Sequence, residues 1–198
     1  MAVNKKNESK LGVGRYPGFI RIIGGKWRNR KLPVVIHDGL RPTPNRIRET
    51  IFNWLRPWLP GARCLDVTAG TGSLCLEALS QGANSAVMVE QAPEAVKMLR
   101  SNVMRLDAQD AEVIQTNVVD YLLGPARPFD IVFLDPPFKS DLIAKCALLL
   151  NERGWLKPGS LIYIEAPGHL DQLPIPDDWE LIRSKVAGQV GYHLARKI

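Results

Sequence analysis

A chain of 198 residues, 45% hydrophobic and 23% charged, can bury one sizeable core and leaves room for only a small appendage. No stretch approaches the roughly 18 apolar residues of a membrane span, and the charged start (Lys5, Lys6, Glu8, Lys10) is not a secretory signal. The net charge of +6 is unevenly spread: residues 1–60 hold 13 Lys and Arg against 3 Asp and Glu, whereas residues 61–198 hold 13 against 17. That asymmetry predicts a polyanion meeting mainly the N-terminal third. Three cysteines (Cys64, Cys75, Cys146) without a CxxC pair predict reduced, buried thiols in a cytoplasmic protein and argue against disulfides or structural zinc. His37, His169 and His193 form no ligand cluster, so no metal is expected.

Residues 1–18 are polar and glycine-containing, and read as a flexible arm. Residues 19–60 read as a basic extension. Phe19–Ile23 is a short strand, Gly24-Gly25 a turn, and Lys26–Pro33 a basic return strand, together a hairpin. Arg21, Lys26, Arg28, Arg30 and Lys31 are candidate phosphate contacts, with Trp27 either packing or stacking. Arg41-Pro42-Thr43-Pro44 leads into a helix over about 45–59. Ile47, Ile51, Trp54, Leu55 and Trp58 share one face of it and should be core. Arg41, Arg46 and Arg48 join the nucleic-acid-binding candidates.

From residue 61 onward strands and helices alternate. Strands are expected at 62–67, 86–90, 111–116, 129–135 and 160–166, and helices at about 73–81, 93–106, 117–123 and 141–151. Such alternation predicts a parallel sheet with helices on both faces. Residues 179–186 and 190–195, joined by Ala187-Gly188-Gln189, read as an antiparallel pair. The expected class is therefore α/β, a single Rossmann-like domain over 61–198 with an antiparallel C-terminal strand.

The strand 129–134 runs into Asp135-Pro136-Pro137-Phe138. Proline donates no backbone hydrogen bond, so the chain must leave the sheet there, at the carboxyl edge where open α/β sheets bind ligands. A carboxylate, carbonyls free to accept and a flat ring suit a planar group bearing an amino substituent. The first strand of the domain ends at Asp66, followed by Ala69-Gly70-Thr71-Gly72 and a helix. Two glycines allow close backbone approach to a ligand, but Cys75 replaces the third glycine of a dinucleotide fingerprint. Asp66 would repel a pyrophosphate and suits a cationic ligand end such as the amino-acid part of S-adenosylmethionine. Glu90, at the next strand tip, can accept from ribose hydroxyls. Asn117 or Asp120, after the third strand, can reach an adenine edge, although Glu90 or Asp120 taken alone fits an exposed loop acid or a helix cap equally well. Glu165 either lines the same cleft or is a solvated strand end, and Tyr192 is a weaker neighbour.

The ordered set Asp66-x-x-Ala69-Gly70-x-Gly72, Glu90 and Asp135-Pro136-Pro137-Phe138 resembles the class I methyltransferases that modify exocyclic amines. More narrowly, the chain resembles the bacterial small-subunit ribosomal RNA guanine-N2 methyltransferase family. The similarity covers Arg21–Gly25, Arg30–Pro33, Leu40–Thr43, Arg46–Leu55, Leu76–Ser80 and Lys185-x-Ala187-Gly188-Gln189. It departs at Thr68, Cys75 and Asn45, where Phe, Gly and Asp are usual. The resemblance implies S-adenosylmethionine as methyl donor, Asp135 to Phe138 as the catalytic tetrad, and a guanine of 16S ribosomal RNA, presented on an assembling 30S particle, as substrate of a monomeric enzyme. A base inside a helix cannot reach such a pocket, so the target should be flipped out or in a loop. The same amine chemistry fits an adenine-N6 methyltransferase, and the basic third alone would fit a non-catalytic ribosome-assembly factor.

Overall fold

The computed structural model describes residues 17–35, 43–137, 141–170 and 172–198. The alternating pattern folds into a seven-stranded sheet of β3 (Arg63–Asp66), β4 (Ser85–Glu90), β5 (Ala111–Gln115), β6 (Phe129–Leu134), β7 (Leu156–Pro167), β8 (Trp179–Ala187) and β9 (Val190–Lys197). Its order is β5-β4-β3-β6-β7-β9-β8, and β9 alone runs against the others. The expected α/β class and antiparallel ending are both present.

Side chains alternate across each strand, and the sheet separates two apolar layers. Cys64, Ile131, Phe133, Leu161, Tyr163, Tyr192 and Leu194 face one layer, with α1 (Asn45–Leu55), α2 (Ser73–Ser80) and α3 (Pro93–Leu106). Leu65, Val132, Leu134, Ile162 and Ile164 face the other, with α4 (Val118–Leu123) and α5 (Leu142–Glu152). Among the described residues no helix is long and apolar enough to cross a membrane.

The N-terminal hairpin differs from expectation. Strand β1 (Pro17–Arg21) pairs with β2 (Lys31–Val35) and closes at Arg21↔Lys31, so residues 22–30 form a broad loop and Gly24-Gly25 is not the turn. Helix α2 sets this loop. Its Glu77, fully buried, accepts from the N–H groups of Ile23 and Gly24 at 2.8 Å each, and its Ser80 Oγ accepts from the Trp27 N–H at 3.0 Å. Gly25 lies against α2 with φ +71°, where an added Cβ would stand 1.7 Å from the Ser80 carbonyl oxygen. Long-range anchors therefore override the local turn signal, and Trp27 is buried among them.

Helix α1 also departs from expectation. Its buried residues are Ile47, Arg48, Ile51, Phe52 and Leu55. The helix stops at Leu55, so Trp58 leaves the helical register and stays 46% exposed, while Trp54 is half-buried and stacks on Tyr192 with ring centroids 5.5 Å apart. Arg48 is corrected from a nucleic-acid contact to an interior residue. It is 1% exposed, pairs with Glu77 at 3.5 Å, and donates to the Arg21 carbonyl and Asn45 Oδ1. A buried guanidinium needs a counter-charge, and Glu77 of the facing α2 provides one that sequence spacing along α1 does not reveal.

Candidate active site

Three acids meet at the carboxyl edge of the sheet. Asp66 ends β3, Asp135 follows β6, and Glu165 lies on β7, which continues to Pro167. The registers Asp66↔Phe133 and Leu134↔Ile164 place these residues on adjacent strands. Asp66 and Glu165 are buried and Asp135 is half-buried. Thr43, just before α1, donates from Oγ1 to Asp135 Oδ2 at 3.4 Å, and the Tyr163 hydroxyl donates to Glu165 Oε1 at 2.6 Å. Asp135 and Glu165 lie close enough that each acts on the ionisation of the other. Two acids that interact this closely titrate as a pair.

The electrostatics follow from burial. Desolvation, reinforced by the charges of Glu165 and Asp66, raises the Asp135 carboxyl well above the usual range, and burial raises Glu165 as well. Burial pushes Asp66 up to about 7 against the opposing hydrogen bond from the Thr68 N–H, with Glu90 and Glu165 adding to the rise. Three crowded acids in a low-dielectric edge favour a cationic guest, which would relieve their repulsion. Perturbed carboxyl groups of this kind mark a functional cleft.

The glycine loop is shaped for close approach. Gly70 and Gly72 hold φ of +52° and +75°. A Cβ on Gly72 would meet Leu99 Cδ2 at 2.4 Å. Glu90 braces the loop, accepting from the Gly70 N–H at 2.9 Å and the Ala92 N–H at 2.8 Å, while the Ala69 N–H donates to the Val89 carbonyl at 2.9 Å. Thr68 Oγ1 is buried with no hydrogen-bond partner, a polar atom beside the loop that a ligand can satisfy. Cys75 is buried on α2, its thiol directed at the Val87 carbonyl at 3.7 Å, so this departure from the usual glycine faces β4. Asp66, the close-approach turn Ala69–Gly72 with the unpartnered Thr68 Oγ1, and Glu90 thus place a carboxylate, a polar hydroxyl and a second acid along one edge, a set that fits an α-amino acid joined to a ribose.

The remaining candidates fall unevenly around this edge. Asn117 caps α4, its Oδ1 accepting from the Val119 N–H at 2.8 Å, and its Nδ2 donates to Gln91 Oε1 at 3.3 Å beside the end of β4. Asp120 is exposed in the first turn of α4. Pro136 is buried and Pro137 exposed; Phe138 and Arg41 lie outside the described residues. Arg21, Lys26, Arg28, Arg30, Lys31 and Arg46 are exposed, with Lys26 over the Trp27 ring and Arg30 donating to the Arg105 carbonyl. Thr43, Glu77, Ser80 and Tyr163 were not singled out as site or anchoring residues by sequence. For Thr43 the one available signal was its place in the Arg41–Pro44 lead-in, since its partner lies 92 positions away.

Residues 20–196 match the family described as conserved hypothetical protein 95. The chain is 46% identical over 180 residues to ribosomal RNA small subunit methyltransferase D of Escherichia coli, covering 91% of each chain. It belongs to that family. The solved structure of yhhF from Escherichia coli superposes with a TM-score of 0.83 at 46% identity, covering 91% of this chain and 98% of that one. The same fold, at 17% identity and a TM-score of 0.62 over 79% of this chain and 94% of that one, occurs in an RNA methyltransferase from Salinibacter ruber solved in complex with S-adenosyl-L-homocysteine. The sequence-level expectation of a methyltransferase family is met.

Proposed function

We propose that this member of the methyltransferase D family methylates the exocyclic N2 amine of a guanine in small-subunit ribosomal RNA, acting in the cytoplasm on an assembling 30S particle. The observation that carries the reading is Asp135 at the edge of the sheet, with the buried acid Glu165 of β7 on one side and the Asp66–Gly72 loop on the other. S-adenosylmethionine, when bound along Asp66, Ala69–Gly72 and Glu90, supplies an electrophilic methyl group on a sulfonium. Asn117 or Asp120 is assigned the adenine edge.

The amine of guanine is a weak nucleophile because its lone pair is delocalised into the ring. Asp135 accepts one of its N–H bonds and the Pro136 carbonyl the other, which turns the lone pair toward the methyl carbon. Positioning and electrostatics are the protein's main contribution. The donor held there would give up its methyl group and keep the electrons of the C–S bond on sulfur, and the methylated nitrogen would become acidic. The proton that the nitrogen then loses passes through Asp135 to water. Phe138 is assigned the stacking contact with the base, and Pro137 the turn that holds it. Lys26, Arg28, Arg30 and Lys31 on the anchored loop, with Arg21, Arg41 and Arg46, are assigned RNA phosphates.

Mapping modified bases in small-subunit ribosomal RNA from cells with and without the protein tests this reading. Loss of one N2-methylguanosine is expected, restored by the wild-type gene and not by Asp135→Asn. Loss of an N6-methyladenosine would select the adenine enzyme instead, and an unaltered modification map would refute both.

A further inference from the structure

Strand β8 is the outer edge of the sheet, and its register against β9 contains a bulge. Leu181 stands opposite Ala195, but Arg183 rather than Ile182 stands opposite Leu194, and Lys185 then stands opposite Tyr192. Were Ile182 paired with Leu194 in an unshifted register, Lys185 would oppose Gly191 and point to the other face. A one-residue shift reverses every side chain that follows, and bulges often re-aim side chains beside active sites. Here the shift puts Arg183 and Lys185 on the face of Leu194 and Tyr192, the face shared by α1 and the N-terminal hairpin.

The same rows lead to the catalytic edge. Tyr192 is the register partner of Glu165 on β7, so Glu165, Tyr192 and Lys185 lie abreast on three neighbouring strands. Two strand spacings put the backbone of Lys185 about 10 Å from that of Glu165, on the scale of the sugar–phosphate unit attached to a base held at Asp135. Arg183, Ser184, Lys185, Val186 and Gln189 are exposed, and residues 181–198 contain no Asp or Glu. The acid of β8, Glu180, sits at the opposite end and pairs with Arg196. Across the site lie the glycine loop, then Asp135 with Glu165, then this basic edge, with the anchored basic loop on the far side of the same face.

We infer that the bulged end of β8, through Arg183 and Lys185, is a second RNA-binding surface that holds the single-stranded phosphates flanking the methylated nucleotide. It rests on the reading that the substrate is RNA. The basic N-terminal loop grips one side of the target and the β8 edge the other, so the strand spans the cleft and the flipped base hangs between them. Phosphate contacts fix position without reading sequence, so this surface sets register and the pocket sets base choice.

The test compares wild type with an Arg183→Gln/Lys185→Gln double variant on a small-subunit ribosomal RNA substrate across a salt series. The KM for RNA should rise about tenfold and the log–log salt slope should shrink by about 1.4, near 0.7 for each single-strand phosphate left without its cation. The kcat at saturating RNA should stay within twofold and affinity for S-adenosylmethionine should be unchanged. The charge-preserving Arg183→Lys/Lys185→Arg variant should keep the wild-type slope. An active double variant with unaltered KM and salt slope overturns the proposal alone. A wild-type chain that neither binds nor methylates small-subunit ribosomal RNA, free or in an assembling 30S particle, overturns the functional reading and this surface with it.

Discussion

Replacing Glu77 by alanine should be among the most damaging single changes in the molecule, although Glu77 touches neither proposed substrate. Its carboxylate is fully buried, pairs with Arg48 at 3.5 Å, and accepts from the Ile23 and Gly24 N–H groups and from Gln81 Nε2. Burial already lowers the Arg48 pKa, with Glu77 the main charge opposing that fall. Glu77→Ala strands the guanidinium in the interior, which costs about 3–5 kcal/mol. The two loop N–H groups lose their acceptor at about 1 kcal/mol each, the low end because they are only partly buried. A loss near 5 kcal/mol is comparable with the whole stability of a marginal domain, about 5–15 kcal/mol. Urea unfolding followed by circular dichroism measures it, and a loss below about 1 kcal/mol would refute the buried-pair argument. A second arm separates the causes. Glu77→Leu combined with Arg48→Met removes the stranded charge and should recover most of the loss, since apolar replacement of a buried pair is often neutral. A double variant as unstable as Glu77→Ala would assign the cost to the loop hydrogen bonds.

The active-site groups support four shorter predictions. Asp135→Asn should lower kcat at least about a hundredfold in a methyl-transfer assay, with S-adenosylmethionine affinity in calorimetry close to wild type; near-normal turnover would remove Asp135 from the chemistry. Because Asp66 is raised to about 7 by burial, the native state holds a proton that the unfolded chain gives up near pH 3.9, so its stabilising effect disappears as pH rises toward 7 and beyond. The melting temperature of the free protein should therefore fall between pH 5 and pH 8, and an equally steep fall in Asp66→Asn would exclude this cause. By the same linkage S-adenosylmethionine should bind more tightly at pH 8 than at pH 6. Gly72→Ala combines a left-handed φ of +75° with a contact of 2.4 Å to Leu99, worth about 1–3 kcal/mol of strain, and should weaken S-adenosylmethionine binding in calorimetry; unchanged affinity would mean that the loop does not hold the ligand.

What sequence alone determined is the local part of this protein. Alternation along β3 to β7 and helical spacing in α2 to α5 are set by neighbours a few positions apart, so element order and fold class were legible. The exit at Asp135-Pro136 was legible too, because proline cannot continue a ladder. The Gly24-Gly25 turn, the end of α1 and the inward direction of Arg48 were misread where distant residues decide, while Ile47, Ile51 and Leu55 share the buried face as expected. Glu77 and Ser80 hold the loop open over residues 22–30, and the charge of Arg48 turns inward because Glu77 faces it. Tertiary structure alone joined Thr43 to Asp135 and Asp135 to Glu165, and the bulge at Ile182 alone chose the face on which Lys185 emerges. Burial and register belong to pairs of residues far apart in the chain. A pattern read along one strand fixes which residues share a face, but not which partner that face will meet.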